Sequence, residues 1–185
     1  FLDWVELIRG QSQHVEAIES VCRDGYYPVL PLLWLVYCGA KGYTLISVAE
    51  VKRFLGNIYD WHLMHYRLKH MQNAAEELQC LLPEAEALLR SLEEHQANLL
   101  FSALGRSVVV KLQSRRLQNT LTQVSHYFFG FKLALDQRQQ KACRAIIHTQ
   151  FPDLSEKLVC LAWGAQWGRR QLRARSCVSL DLLVC

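Results

Sequence analysis

The chain has 185 residues, of which 51% are hydrophobic, and its 21 Lys and Arg against 17 Asp and Glu give a formal net charge of +4. A chain of this length buries roughly 70% of its unfolded surface in one compact domain, so neither disulfides nor a metal is needed for stability. Arginines within residues 169–175 supply much of the positive excess, so the rest of the chain lacks the spread basic face of a general nucleic-acid binder.

The seven cysteines are an odd number, lie far apart, and in part fall inside apolar runs such as Leu35 to Ala40. Buried free thiols in a reducing cytosol explain this pattern better than a disulfide framework does. The longest apolar run, Val29 to Cys38, is far shorter than the ~20 residues that span a bilayer, and no signal-peptide pattern is present. The sequence therefore predicts a cytoplasmic protein without a membrane span.

In chain order, residues 1–9 form the first predicted helix, and a second helical segment follows Gly10 and ends at residues 24–25. The run 29–38 is apolar on every side, and glycines at positions 39 and 42 are expected to stop it. A helix that is apolar all round is surrounded by its neighbours. We therefore expect residues 29–38 to form a buried central helix.

Ser47 and Glu50 have the spacing of a capping box, which predicts a helix start. A short helix over 48–55, a break at Gly56 and Asn57, and a long helix from residue 58 to about residue 80 are expected next. The most apolar positions predict the buried stripe of the long helix: Ile58, Trp61, Met64 or His65, Leu68, Met71, Ala75 and Leu78.

Helical spacing continues after Pro83 and again from Ser107, where the valines of residues 107–112 are the only candidate strand. Asp136 is a predicted N-cap for a further helix. The last segment begins as a helix at Asp153, and its pattern decays after Trp167. The sequence thus predicts an all-α, single-domain bundle of about six to seven helices over residues 1–160. Residues 161–185 would form a C-terminal extension, with poor order as one alternative.

Several segments together resemble domain-of-unknown-function family 2390, a helical family typical of gammaproteobacteria. They are FLDWVELIRG, VEAIESVC, PLLWLVYCGAKGYTLI, YDWHLMHYRLKHM and LLPEAEALLRSLEEHQANLL, the last with Glu93, Glu94 and Gln96. The resemblance covers residues 1–104 well and 105–158 loosely, and it rests mostly on leucines, tryptophans and helix stops. It implies a helical fold in a bacterial cytoplasm and no activity.

The best candidate site is a helix face or faces within residues 60–70. Offsets of four and seven residues align His62, Tyr66 and Lys69, and a phosphate or carboxylate could bind there. The favoured alternative is an ordinary solvated helix face. The candidate ligand or partner residues are His62, His65, Tyr66, Arg67, Lys69 and His70.

A second candidate is an anion-binding tail near Trp163 and Trp167, since arginines with aromatic residues suit phosphate backbones and anionic surfaces. An incidental terminus is the favoured alternative. The tail residues are Arg169, Arg170, Arg173 and Arg175.

Neither a metal site nor a cofactor nor a catalytic residue is predicted. His62 and His65 are three residues apart but lack the glutamate and downstream ligand of zinc signatures, and no CxxC is present. The chain also contains no GxSxG, GxGxxG or Walker-type loop.

The leading prediction is a non-enzymatic, cytoplasmic helical protein that acts through a protein partner or as a homo-oligomer. A deep polar pocket in which His62, Tyr66 and Lys69 converge would contradict it. One alternative is a nucleic-acid-binding accessory protein that uses residues 60–70 and the tail 169–175. Another is a small-molecule enzyme.

Overall fold

The computed structural model describes residues 1–11, 18, 28–43, 45–76, 82–102, 112–131 and 133–181, and only the backbone of residues 72–76, 82, 114 and 169–181. These ranges contain seven helices and no strand, which confirms the all-α prediction. Within the same ranges, no helix combines the length and the apolar character that a membrane crossing needs. The helices are α1 (Leu2–Arg9), α2 (Val29–Lys41), α3 (Val48–Glu76), α4 (Leu82–Ser102), α5 (Gln113–Gly130), α6 (Gln137–Thr149) and α7 (Glu156–Asp181).

Helix α2 is the buried central helix that the sequence predicts. Nearly all of its residues from Leu30 to Ala40 are buried, and Tyr37 alone in that span is partly exposed. Gly42 ends the helix in a left-handed conformation with φ of 82°, which glycine adopts without strain. The prediction that Gly39 also stops the helix is wrong, because α2 runs through it to Lys41.

Gly39 allows α2 to lie directly against α5. A Cβ atom at Gly39 would meet the Thr120 side chain at 2.5 Å and the Thr120 Cα at 2.6 Å. The Thr120 hydroxyl donates to the Arg116 carbonyl at 2.9 Å, so its polar group is satisfied within α5. At the other end of α2, the buried Tyr127 hydroxyl of α5 donates to the Pro28 carbonyl at 2.7 Å.

Helix α3 begins at the predicted capping box: the Ser47 N–H donates to the Glu50 carboxylate at 2.9 Å and the Glu50 N–H donates to the Ser47 hydroxyl at 3.2 Å. The predicted break at Gly56 is wrong, because α3 is one helix from Val48 to Glu76. A helical glycine costs only about 1 kcal/mol relative to alanine, and packing of α3 against α4 and α5 outweighs that cost.

The predicted apolar stripe of α3 is wrong at Trp61, Met64 and Met71, which are exposed, whereas His62 is buried. Leu68 and His65, the alternative to Met64, are partly buried, and the side chains of Ala75 and Leu78 lie outside the described residues. The buried face of α3 continues through His62, one residue after the predicted Trp61, rather than through the most hydrophobic side chains. Its buried members are Val51, Phe54, Leu55, Ile58 and His62.

The remaining helices close the core around α2. The predicted inward residues of α5, namely Leu117, Leu121, Val124 and Phe128, are buried, while Phe129 is exposed. Asp136 caps α6 in a reciprocal capping box with Gln139. The Trp4 indole of α1 donates to the Thr149 hydroxyl of α6 at 3.3 Å, which ties the first helix to the body.

Helix α7 crosses the domain boundary that the sequence predicts at residue 160. Trp163 is buried in the core and stacks on Trp167, with ring centroids 4.3 Å apart and an interplanar angle of 10°. The backbone stays helical to Asp181. The side chains of the four tail arginines lie outside the described residues, and so do residues 12–17, 19–27 and 107–111.

We predict opposite effects for two glycine-to-alanine changes. Gly39→Ala should lower the free energy of unfolding by about 2 kcal/mol or more, because the added methyl group meets the α5 backbone. Gly56→Ala should raise it by about 0.5–1 kcal/mol, because a Cβ there meets nothing within 4 Å. Urea unfolding followed by far-UV circular dichroism measures both, and equal effects would contradict the close approach of α2 to α5.

Candidate functional site

A cleft of about 500 Å³ opens beside the α3–α4 pair. One wall is aliphatic and comes from α1, α2 and α6. The other wall is polar and comes from α3 and α4. Its volume lies in the range of small-molecule sites. The aliphatic wall contains Ile8, Val29, Leu30, Leu33 and Ile146, and the polar wall contains His62, His65, Tyr66, Lys69, Glu93 and Gln96.

Exposure rises steadily along the polar wall. Gln96 and His62 are only 3% and 6% exposed, whereas the His65 and Glu93 side chains are 20% and 15% exposed. Lys69 is exposed to solvent. The cleft therefore has a deep end, formed by a carboxamide and an imidazole, and a charged mouth.

The Gln96 side chain is almost fully buried and lines the deep end of the cleft. Buried amides in folded proteins are mostly hydrogen-bonded. A carboxamide offers an N–H₂ donor and a carbonyl acceptor side by side, so Gln96 gives the deep end of the cleft a polar group that can act in either sense.

An ion cluster fixes the middle of the polar wall. The Glu93 carboxylate of α4 accepts from both terminal nitrogens of Arg9 in α1, at 2.8 and 2.6 Å. It also accepts from His65 Nε2 of α3 at 3.1 Å, and Arg9 reaches Glu6 at 3.2 Å as well. Three helices are thus joined through one carboxylate, in the bidentate geometry that makes an Arg–carboxylate pair strong.

Burial would raise the pKa of Glu93, but hydrogen bonds from His65 and Arg9 outweigh it and hold that pKa at about 2. Burial acts to lower the pKa of Arg9, but the contacts of Arg9 with Glu93 and Glu6 outweigh this effect. The pKa of Arg9 is therefore raised above its ordinary value. Both groups are therefore charged at neutral pH. Glu93 is a structural carboxylate and a poor proton acceptor.

The structure brings some of the sequence-predicted residues into the cleft and leaves others outside. His62, His65, Tyr66 and Lys69 line it. Arg67 and His70 are exposed and do not line it. The favoured interpretation of this face as an ordinary solvated surface is wrong for His62, which is buried. His62, Tyr66 and Lys69 thus share one cleft, but its opposite wall is aliphatic and Lys69 lies exposed at its mouth.

Sequence reasoning missed Arg9, Arg90, Glu93 and Gln96 as site residues. A signal for Gln96 exists: it lies four residues after Leu92 and four before Leu100, both buried, so it occupies a core position of α4. A polar residue within an apolar stripe marks either a paired core group or a site. No local signal identifies Arg9, because its partner Glu93 is distant in sequence.

The described residues hold no group of three or more His, Cys, Asp or Glu side chains arranged to bind a metal ion. The free thiols of Cys38 and Cys143 are buried in the core, and burial raises the pKa of Cys38 well above its ordinary value. A buried, protonated thiol is a poor nucleophile.

Comparisons with family models, with curated proteins and with solved structures found no match to this chain.

We predict that Glu93→Gln lowers the free energy of unfolding by about 1–3 kcal/mol at neutral pH. The ordinary carboxyl pKa of 4.5 falls to about 2 on folding, so this stabilisation is complete above about pH 5 and disappears as the pH falls toward 2. Urea unfolding of both proteins across this range measures the difference. The exposed neighbour variant Glu94→Gln controls for the loss of one charge, and a pH-independent difference would contradict the assignment.

Proposed function

We propose that this protein is a non-enzymatic binding protein whose cleft takes a small organic molecule. The observation that carries the proposal is the cleft of about 500 Å³, in which an aliphatic wall faces the buried side chains of Gln96 and His62. The Gln96 carboxamide would offer a hydrogen-bond donor and an acceptor to a bound molecule. The aliphatic wall would cover the apolar body of the same molecule.

Binding, rather than catalysis, suits the chemistry of the cleft. A general base needs a pKa near the working pH, and the hydrogen bonds to Glu93 hold its pKa at about 2. A nucleophile needs an activated, accessible thiol or hydroxyl, and among the described residues the only hydroxyl that lines the cleft is that of Tyr66. These observations support a receptor or carrier role.

A second candidate is the protein–protein interaction predicted from the sequence. Its support is the outer surface of the α3–α4 pair, where Met64, Met71 and Leu88 are exposed and Met71 is 66% exposed. Trp61 adjoins this patch and rests on His95, with ring centroids 4.3 Å apart. Exposed apolar patches of this kind mark association surfaces.

The partner that we favour for this outer surface is a second copy of the chain. Arg67 and His70 are exposed on α3, and Glu84 and Glu94 are exposed on α4. A twofold axis that lays α3 of one copy over α4 of the other would bring opposite charges together beside the apolar patch.

The nucleic-acid alternative has less support. Within residues 60–70, Lys69 lines the cleft while Arg67 and His70 do not, so the basic side chains do not share one surface. We also propose a cytoplasmic location, since the buried Cys38 and Cys143 are free thiols. Membership of family 2390 stays a proposal that rests on the resemblance alone.

We predict that Gln96→Leu abolishes the stabilisation that cleft ligands give, because it removes the carboxamide at the deep end of the cleft at similar volume. A thermal-shift screen of a metabolite library on the wild-type chain identifies those ligands, and the same screen on the variant measures the loss. Gln118→Leu is the control. The Gln118 amide donates to Gln166 at 3.0 Å, so we expect removal of this amide to leave ligand binding in the cleft unchanged. A Gln96→Leu protein that folds and keeps the ligand responses of the wild-type chain would overturn the proposal.

For the second candidate, we predict a concentration-dependent dimer in sedimentation-velocity experiments on the wild-type chain. Met71→Glu should weaken it about tenfold or more, since it places an unpaired charge in an apolar contact. Met71→Leu should leave the dimer intact. A wild-type chain that stays monomeric at all concentrations would exclude this candidate.

A further inference from the structure

We propose that the cleft selects an uncharged amphipathic molecule whose hydrogen-bonding head group, an amide or a hydroxyl, lies at the deep end beside Gln96. This inference rests on the proposed binding function and specifies the class of ligand. Three features of the cleft carry it: the balance of the charges that line it, the buried polar groups of the deep end, and the aliphatic wall.

The charges that line the cleft are balanced within the protein. Arg9 donates to the Glu93 carboxylate at 2.8 and 2.6 Å, and Lys69 has an interaction of its own. Glu86 and Arg90 are exposed one turn apart on α4, where their opposite charges offset each other. Across the described lining, three lysine and arginine side chains balance three carboxylates. The lining therefore has no excess of lysine and arginine, or of glutamate, to attract a charged ligand.

A charge on the ligand would be costly at the deep end. Gln96 and His62 are buried there, and Glu93, one turn before Gln96 on α4, already accepts from Arg9 and His65. A carboxylate or an ammonium group that moves from water to such a place loses its hydration without gaining a counter-ion. An uncharged head group loses much less, so the deep end discriminates against charged relatives of the same molecule.

Gln96 provides hydrogen bonds for an uncharged head group. A carboxamide has two N–H donors and a carbonyl oxygen with two lone pairs, so it can bind a ligand even while it has a partner within the protein. An amide on the ligand complements it in both senses, and a hydroxyl can act as donor or acceptor. A head group that cannot pair leaves buried polar groups unsatisfied, which makes such a site selective.

The opposite wall fits an apolar body. Leu30, Leu33 and Ile8 are buried side chains that line it, and the transfer of apolar surface from water onto such side chains drives binding. The cleft volume of about 500 Å³ lies in the range of small-molecule sites. The ligand therefore combines an apolar body along this wall with one uncharged polar end.

Probes that share one carbon skeleton and differ only in the head group test the charge preference. They are octanamide, 1-octanol, octanoate and octylammonium, titrated calorimetrically against the full chain at neutral pH, where the last two are charged. We expect octanamide and 1-octanol to bind about tenfold more tightly than octanoate and octylammonium, because a charged head group loses hydration at the deep end. This ranking on the wild-type chain tests the inference without any variant.

Two variants locate the head group. Gln96→Leu should weaken the binding of octanamide about tenfold, because it removes the carboxamide at similar volume. Arg90→Gln should keep the affinity for octanamide within about twofold of the wild-type value, because Arg90 is exposed at the mouth and the probe is uncharged. Far-UV circular dichroism shows whether each variant is folded.

Octanoate or octylammonium that binds as tightly as octanamide would overturn the inference, as would a chain that binds none of the probes. An octanamide affinity that a folded Gln96→Leu protein leaves unchanged would also overturn it, because the head group would then lie elsewhere. If the metabolite screen finds a charged compound whose stabilisation Gln96→Leu abolishes, the binding function stands and the uncharged class fails. If the screen finds no compound that depends on Gln96, both fall together.

Discussion

The close approach of α2 to α5 at Gly39 is the constraint on which the rest of the fold depends. A side chain at this position would collide with the backbone of Thr120, so only glycine lets the two helices lie this near to each other. This contact places the apolar helix α2 at the centre of the bundle, because a helix that is hydrophobic on every side needs neighbours on every side. Other faces of α2 are covered by Trp4 of α1, Phe54 of α3 and Phe101 of α4, whose rings contact Tyr37 or Trp34.

The cleft follows from the way α3 meets this core. The first part of α3 packs on the body through Val51, Phe54 and Ile58, but the next inward position is His62. From there the inner face of α3 is polar, and it runs alongside α4 rather than against α2. The Arg9–Glu93–His65 cluster connects the α3–α4 pair to α1, so the polar wall is held at a set distance from the aliphatic one.

Features encoded by local patterns could be predicted from the sequence, and features encoded by distant contacts could not. The apolar run 29–38, the Ser47–Glu50 capping box and the Asp136 cap depend on neighbouring residues alone. The buried face of α3 was misassigned because Trp61, Met64 and Met71 are the most hydrophobic side chains of that segment, while tertiary packing selects His62. Gly56 is a predicted break because glycine has a weak preference for helix, and the packing of α3 overrides that preference. Glu93 and Arg9 meet only after folding.

The ion cluster also limits what the cleft can hold. Because Glu93 already accepts hydrogen bonds from Arg9 and His65, the middle of the polar wall holds three helices together rather than presenting an uncommitted carboxylate. The deep end differs, because the side chains of Gln96 and His62 are buried there beside the aliphatic wall. Any molecule that filled the cleft would therefore meet apolar side chains on one side and polar groups on the other, and its own surface would have to be divided in the same way.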